Sequence, residues 1–151
     1  MRRALVVSLS FLSSALAAQQ PSLVGTWQVS YPGGARIENG AVTVLRATGV
    51  LTIEAQDDSL IATLVQDPAP DLPARPPARL AAARTAGPAT FISRSTAKIN
   101  MNGDEQDATA VSTWVLQATG DSLSGTVARR IEGFDMATQP PNPVTGTRRK
   151  G

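Results

Sequence analysis

Few side chains in this 151-residue sequence can carry chemistry. It contains no His and no Cys, which excludes a Ser-His-Asp triad, a thiol nucleophile, and zinc sites built on imidazole or thiolate. Ser95-Thr96-Ala97-Lys98 spells the S-x-x-K pattern that places a lysine beside a nucleophilic serine on a helix. The surrounding residues read as a strand, where positions i and i+3 face opposite ways. We therefore interpret the pattern as accidental.

Two groups of oxygen-bearing side chains are candidates for a cation site or for acid–base work. The first group surrounds a predicted turn and consists of Asn100, Asn102, Asp104, Glu105 and Asp107. It lacks the spacing of a calcium-binding loop and is interpreted as a polar hairpin turn. The second group, Asp57 and Asp58, lies in another predicted turn, where Asp is favoured for its own backbone hydrogen bonds. We expect no metal site, no cofactor and no catalytic residue.

Residues 1–17 differ in character from the rest of the chain. Arg2 and Arg3 precede an apolar run that ends at Ala15-Leu16-Ala17, an A-x-A cleavage site, which predicts a signal peptide removed near Ala17. The run is shorter than the roughly 20 residues that span a bilayer. We expect an exported protein, periplasmic or secreted, with no membrane anchor. A disordered lead at 18–22 and a single domain at 23–149 should follow.

The charge balance gives no indication of a polyanionic partner. The whole chain has 14 Lys and Arg against 12 Asp and Glu, and the excess disappears with Arg2 and Arg3 when the signal peptide is removed. The remaining basic pairs, Arg129-Arg130 and the tail at 148–150, are interpreted as solvated ends. We expect no nucleic-acid partner and a monomer.

Alternation of apolar and polar residues predicts strands along the chain. In the first of them, Leu23, Trp27, Val29 and Tyr31 fall on one face. Pro32-Gly33-Gly34 is expected to end this strand. Asn39-Gly40 then predicts a hairpin, because both residues tolerate the positive φ of a type I′ turn.

The clearest hairpin signal lies in residues 114–131, where two alternating runs flank Gly120-Asp121-Ser122. Residues 51–64 repeat its pattern around a second Asp-Ser turn. Thr48-Gly49 is either a turn or a bulge. Residues 79–84 are either a strand or a short helix, with the strand favoured. Irregular loops are expected on the surface at 67–77, which is Pro-rich, and at 133–143, before a last strand at 144–148.

These patterns together predict an all-β domain, an antiparallel up-and-down meander of eight to ten strands. Gly25-Thr26-Trp27 on the first strand resembles the Gly-x-Trp signature of the calycins, the lipocalin-like barrels. Those barrels carry an Arg on the last strand that packs over the Trp, and Arg148 matches it here. The resemblance implies that the meander closes into a barrel with Gly25, Trp27 and Arg148 as structural signature. The sequence departs from lipocalins in lacking their cysteines and a second Thr-Asp-Tyr-type motif.

Three aromatic residues, Trp114, Phe91 and Tyr31, are expected either to pack the core or to line a pocket. The resemblance and the lack of catalytic groups favour a non-enzymatic barrel that binds a small apolar or amphipathic ligand, with a lipophilic molecule as its partner. The pattern does not single out the ligand-binding residues. The alternative is a protein-binding module or inhibitor that uses the loops at 67–77 and 133–143.

Overall fold

A computed structural model of the chain describes residues 22–133 and 140–151. All regular structure in these ranges is β, and the strands are β1 Gly25–Glu38, β2 Ala41–Gln56, β3 Ser59–Gln66, β4 Ala78–Ala83, β5 Ala89–Met101, β6 Asp104–Thr119, β7 Ser122–Ile131 and β8 Asn142–Arg148. They follow one another around a closed antiparallel barrel. The predicted fold class is confirmed. The predicted signal peptide, and the lead up to residue 21, lie outside the described residues.

The barrel closes because every strand has one apolar face, and that face is buried. On β1, Trp27, Val29 and Tyr31 are 0%, 1% and 5% exposed, as the alternation predicted. Side chains from all eight strands join them in one core, and its largest fully buried members are Trp27, Phe91, Leu51, Ile53, Leu116, Leu123, Val29 and Val144. Among the described residues no polar or charged side chain is buried. No helix in the described ranges is long and apolar enough to cross a membrane.

The predicted turns form where the sequence placed them. Asn39 and Gly40 both have positive φ, 52° and 78°, and so do Asn102 and Gly103, 55° and 92°. Each pair links two long antiparallel strands, as expected of two-residue type I′ turns. The hairpin at 114–131 forms as β6 and β7, and its repeat forms as β2 and β3.

The prediction that Pro32-Gly33-Gly34 ends the first strand was wrong. β1 continues to Glu38 and stays paired with β2, with a shift of register between Pro32 and Gly34. The bulge accommodates Pro32, which has no N–H to donate to the ladder. A Cβ on Gly33 would lie 2.5 Å from the Cβ of Ala47, so only glycine fits at this point.

Two alternatives left open by the sequence are decided by strand pairing. Thr48-Gly49 is neither a turn nor a bulge, because Gly49 stays in register with Val29 inside an unbroken β2. Residues 79–84 form a strand rather than a helix, with Leu80 and Ala82 facing the core. This strand, β4, pairs with β3 over six positions but with β5 only at Ala81 and Ile92.

The barrel has two different ends. At the closed end the strands are joined by short turns near Asp58 and Gly120 and by the connection at 84–88, and residues 22–24 lie beside them. At the open end the long β1–β2 and β5–β6 hairpins project, and the connection at 67–77 lies there too. Of the loop predicted at 133–143, residues 134–139 lie outside the described residues. The open end therefore has the longer and more irregular segments.

The close approach of β6 and β7 can be tested by a substitution at Gly125 on β7. A Cβ at this position would clash with the Val115 carbonyl oxygen of β6. We expect Gly125→Ala to lower the free energy of unfolding by about 1–3 kcal/mol, as overpacking does, measured by urea denaturation followed by tryptophan fluorescence. The control is Gly87→Ala, where no atom lies within 4 Å of the added Cβ. Equal effects of the two substitutions would contradict the packing described here.

Candidate functional site

Trp27 and Arg148 meet at the closed end, where β1 and β8 pair. The two residues are partners in the β-ladder, and the Arg148 guanidinium carbon lies 4.2 Å from the centroid of the indole. This is the geometry of a cation–π contact. The indole Nε1–H donates a hydrogen bond of 2.9 Å to the Leu23 carbonyl, so the ring is fixed from both sides.

The guanidinium of Arg148 also ties the chain segment before β1 to the barrel. Nη1 donates to the Val24 carbonyl at 3.0 Å and Nη2 to the Ser22 carbonyl at 2.9 Å, while Nε lies 3.3 Å from the Asp121 carboxylate. Gly25 has a φ of 140°, and a Cβ there would lie 2.5 Å from Nη1 of Arg148. The three signature residues therefore form a structural lock, and the donors of Arg148 are engaged within the chain.

The polar clusters that the sequence singled out are occupied by hairpin contacts. Lys98 pairs with Glu105 at 2.8 Å and with Asp107 at 3.6 Å across the β5–β6 hairpin. It lies on a strand three residues from Ser95, as the interpretation of the S-x-x-K pattern required. Asp57 has a φ of 52° in its turn. The described part of the chain holds no group of three or more acidic residues placed to bind a metal ion.

Of the three candidate aromatics, Phe91 is fully buried in the core. Trp114 and Tyr31 lie together at the edge of the core towards the open end, with ring centroids 5.5 Å apart and ring planes tilted by 52°. They are 6% and 5% exposed. This pair forms an apolar floor, and we call Tyr31 and Trp114 the aromatic floor.

A row of polar side chains lies one step above this floor on the inner face of the sheet. Phe91, Trp114 and Val127 are partners across β5, β6 and β7 and are all buried. Two residues further towards the open end, the partners across the same strands are Ser93, Ser112 and Arg129. Because side chains alternate along a strand, this polar row shares the inner face with the buried row.

Residues 67–77, the cover segment, fold back over the open end. Leu72 packs against the core, with its Cδ1 3.1 Å from where a Cβ on Gly33 would be. At the start of the segment, Asp67 Oδ2 accepts hydrogen bonds of 2.9 Å from both Gln28 and Thr48. The segment is irregular and mostly exposed, as predicted, with the exception that Leu72 packs against the core.

The charge of Arg75, an exposed residue of the cover segment, acts on two groups of the barrel. Burial lowers the pKa of Arg129, and the positive charge of Arg75 lowers it further. Burial also raises the pKa of Tyr31, which Arg75 opposes and Asp67 supports. Arg75 is thus a charge that contributes to the pKa shifts of both Tyr31 and Arg129. Within the described ranges neither arginine has an ion pair, and the Tyr31 hydroxyl has no hydrogen-bond partner.

Sequence reasoning missed these groups for two reasons. Arg129 is exposed, as its interpretation as a solvated charge required, but its place opposite Ser112, in phase with Leu123 and Val127 on β7, was not considered. Arg75 has no such signal, because the cover segment has no repeating pattern. Its place follows only from the folding of the segment onto Gly33.

The interior below the aromatic floor is occupied by the core side chains. Two depressions of about 240 and 360 Å³ lie elsewhere, one on the outer wall around Gln28, Thr48 and Thr147 and one at the closed end around Leu60 and Arg84. At the open end, the aromatic floor and the polar row lie next to each other on the inner face.

The lock at the closed end gives a test of stability. Arg148→Lys keeps the charge but loses the planar fork that donates to two carbonyls, so we expect the free energy of unfolding to fall by about 1–3 kcal/mol. Arg149→Lys is the control, because the Arg149 side chain is exposed. Urea denaturation of both variants checks this, and an equal loss in the two would contradict the lock.

No protein-family model matches the sequence, no curated protein matches it, and no solved structure matches the chain. What it shares with the lipocalin-like barrels is the architecture, a meander of eight antiparallel strands closed into a barrel.

Proposed function

We propose that this protein is an exported, non-enzymatic binding protein that holds one small amphipathic molecule at the open end of its barrel. The observation that carries the proposal is an aromatic floor with a row of polar side chains one step above it, at the end of the barrel where Leu72 of the cover segment packs against the core. Binding sites for small molecules are mostly apolar, with a few polar groups that orient the ligand. The open end has both components.

The apolar part of the ligand would lie on the aromatic floor. Leu72 already places an aliphatic side chain on the inner face beside Gly33. A ligand chain that takes this position would gain about 25 cal/mol for each Å² of apolar surface removed from water. The interior deeper in the barrel is filled, so the ligand would bind shallowly rather than in a central cavity.

Apart from the packing of Leu72 and the hydrogen bonds of Asp67, the cover segment is held by surface contacts that cost little to break. Its ion pair, Arg36 to Asp71 at 3.6 Å, joins side chains that are 46% and 72% exposed, and exposed pairs contribute at most about 1 kcal/mol. Gln66 donates to the Pro73 carbonyl at 3.1 Å, also at the surface. The segment can therefore lift to admit a ligand without disturbing the strands.

The groups at the open end suit binding better than catalysis. Ser93 and Ser112 have no imidazole to activate them, since the sequence has no His. Asp67 accepts two hydrogen bonds from Gln28 and Thr48, so it is engaged and does not serve as a general base. Export is proposed from the signal peptide predicted at residues 1–17.

A second candidate is a protein-binding module. The observation that favours it is the exposure of the prolines of the cover segment, Pro68, Pro70, Pro73, Pro76 and Pro77. Proline-rich segments of this kind dock on aromatic grooves of other proteins. In this case the cover segment would itself be the ligand, and the open end would bind no small molecule.

Contact quenching of tryptophan fluorescence by bromodecanol, a neutral amphipathic probe, tests the proposal. Trp114 lies in the aromatic floor and Trp27 at the closed end, and these are the two tryptophans of the chain. We expect saturable quenching in Trp27→Phe, which retains Trp114, because bromine quenches on contact. We expect none in Trp114→Phe, which retains Trp27.

The outcomes distinguish a small-molecule binding protein from a protein-binding module. Saturable quenching of Trp114 alone supports binding at the open end. Quenching of Trp27 alone, or of neither tryptophan, would contradict the proposal and leave the protein-binding alternative. Val65→Ala, on the exposed outer wall, is a control that should leave quenching unchanged.

A further inference from the structure

We infer that residues 41–46 of β2 pair antiparallel with the same residues of a second copy of this chain, so that two barrels form a homodimer with one continuous sheet. A free strand edge at the open end carries the inference, and the proposed function plays no part in it. Such a dimer departs from the monomer expected from the sequence, because charge and alternation along the chain do not show which strand edges stay unpaired.

The two hairpins that project at the open end leave four strand edges without a neighbour. β1 pairs with β8 only over residues 27–30, and β2 pairs with β3 only over residues 49–56. In the other hairpin, β5 pairs with β4 only at Ile92, and β6 pairs with β7 only over residues 110–119. Beyond these positions each strand is paired on one side, with the other strand of its own hairpin. A free edge exposes N–H and C=O groups that can pair with another chain.

Three of these edges carry features by which proteins prevent edge pairing, which include proline, bulges and charged side chains. The free part of β1 contains Pro32 and a bulge. The free part of β5 carries Arg94 and Lys98, and the free part of β6 has three acidic residues within 104–107. The free part of β2 differs, because it has no proline and Arg46 is its only charged residue.

The side chain of Arg46 is turned away from the free edge of β2. Its Nη1 donates to the Pro143 carbonyl of β8 at 2.7 Å, and its Nη2 donates to Ser30 Oγ of β1 at 3.2 Å. β1 and β8 both lie on the side of β2 opposite to the free edge. The free edge is therefore formed by residues without a charged group, among them Val44, which is 43% exposed.

Alternate residues of β2 direct their backbone groups towards the free edge. Ala41 and Glu38 flank the two-residue turn, and the residues that flank such a turn exchange both of their hydrogen bonds. The alternation then turns the N–H and C=O groups of Val42, Val44 and Arg46 away from β1. In the described part of the chain no hydrogen bond from another segment reaches these groups.

The contact between Thr48 and Asp67 marks where the free edge begins. The Thr48 carbonyl, the next in the same series, accepts a hydrogen bond of 2.9 Å from the Asp67 N–H, which agrees with the outward direction. Beyond this bond the cover segment leaves the edge, and Leu72 packs at Gly33 on β1. Asp67 therefore limits how far a second strand can overlap β2, and the edge is open from residue 47 to the turn.

A second copy of residues 41–46 fits this edge because the segment is complementary to itself. An antiparallel register centred on Thr43 places Val42 opposite Val44 and keeps the turn of the second copy clear of Asp67. The two outward residues of each copy then exchange about four backbone hydrogen bonds, two for each pair. The pairing has two-fold symmetry, so the same edge serves in both copies.

The charges favour self-pairing at β2 and oppose it at β5. In the register centred on Thr43, Arg46 lies beyond the paired residues, and its guanidinium is held by β1 and β8. Pairing the free part of β5 with itself around Thr96 would place Arg94 opposite Lys98, and like charges directly opposite each other are destabilising. The free edge of β2 is thus the one that suits a second copy of itself.

Sedimentation equilibrium of the purified protein over a range of concentrations tests the dimer. We expect the wild type to have a mean mass that rises with concentration towards that of two chains. Val44→Pro removes an outward N–H from each copy and keeps the bonds to β1, because proline is tolerated where its N–H would face solvent. Val44→Lys puts a charge on the edge, which is a common natural protection. Each should weaken dimerisation at least about tenfold.

Val65→Lys is the matched control, because Val65 is exposed to a similar extent, 48%, and lies on β3 outside the free edge. It should dimerise as the wild type does, and urea denaturation followed by tryptophan fluorescence checks that each variant is folded. A mixture of Val44→Lys and Val44→Glu chains should dimerise better than either variant alone, because opposite charges then adjoin across the pair. The mixture tests the pairing even where Val44→Pro does not fold.

A wild type that stays monomeric at every concentration overturns the inference and leaves the edge to a strand of a different protein. A dimer that is as stable in Val44→Lys as in the wild type, or that Val65→Lys weakens equally, overturns the assignment to β2. A mixture of the Lys and Glu variants that dimerises no better than its components overturns antiparallel self-pairing. Quenching of Trp114 by bromodecanol is measured separately, so failure of the dimer leaves the proposed function untouched.

Discussion

The contact between Arg148 and Trp27 is the interaction on which the rest of the barrel depends. A meander of eight strands has two edges, and each edge exposes unpaired N–H and C=O groups. Four register pairs join β1 to β8, and the guanidinium stacked at 4.2 Å over the indole lies at the end of this short ladder. Its bonds to the Val24 and Ser22 carbonyls hold the chain before β1 as well. Without these side-chain contacts, β1 and β8 would be joined by the backbone pairing at four positions.

The two ends of the barrel differ in the length of the segments that connect their strands. Short turns hold the strands together at the closed end, and the two long hairpins and the cover segment lie at the open end. The weakest seam of the barrel, the single pair of Ala81 and Ile92 between β4 and β5, separates the strand that leaves the cover segment from the strand that begins the polar row. The proposed function places recognition at the open end, and loops on a rigid scaffold commonly carry function.

Much of the fold could be predicted from the residues. The alternation in β1 assigned Trp27, Val29 and Tyr31 to the interior, and the Asn-Gly and Asp-Ser turns located the hairpins, because these signals are local and depend on side-chain period and backbone φ. The prediction was wrong at Pro32-Gly33-Gly34, where a local breaker is absorbed by a bulge paired to β2. The candidate site was less predictable. Its aromatic members were named as pocket or core, whereas Arg129 was assigned to solvent and Arg75 was passed over.

By itself the sequence determined which faces of the strands are apolar, where the chain turns, and that imidazole and thiol chemistry are absent, because these properties belong to single residues and their nearest neighbours. Only the tertiary structure decided that Leu72 reaches the inner face beside Gly33, and that Asp67 accepts a hydrogen bond from Gln28. Those contacts join residues more than 35 positions apart. They depend on barrel curvature and on the path of an irregular segment, and neither leaves a repeating pattern in the chain.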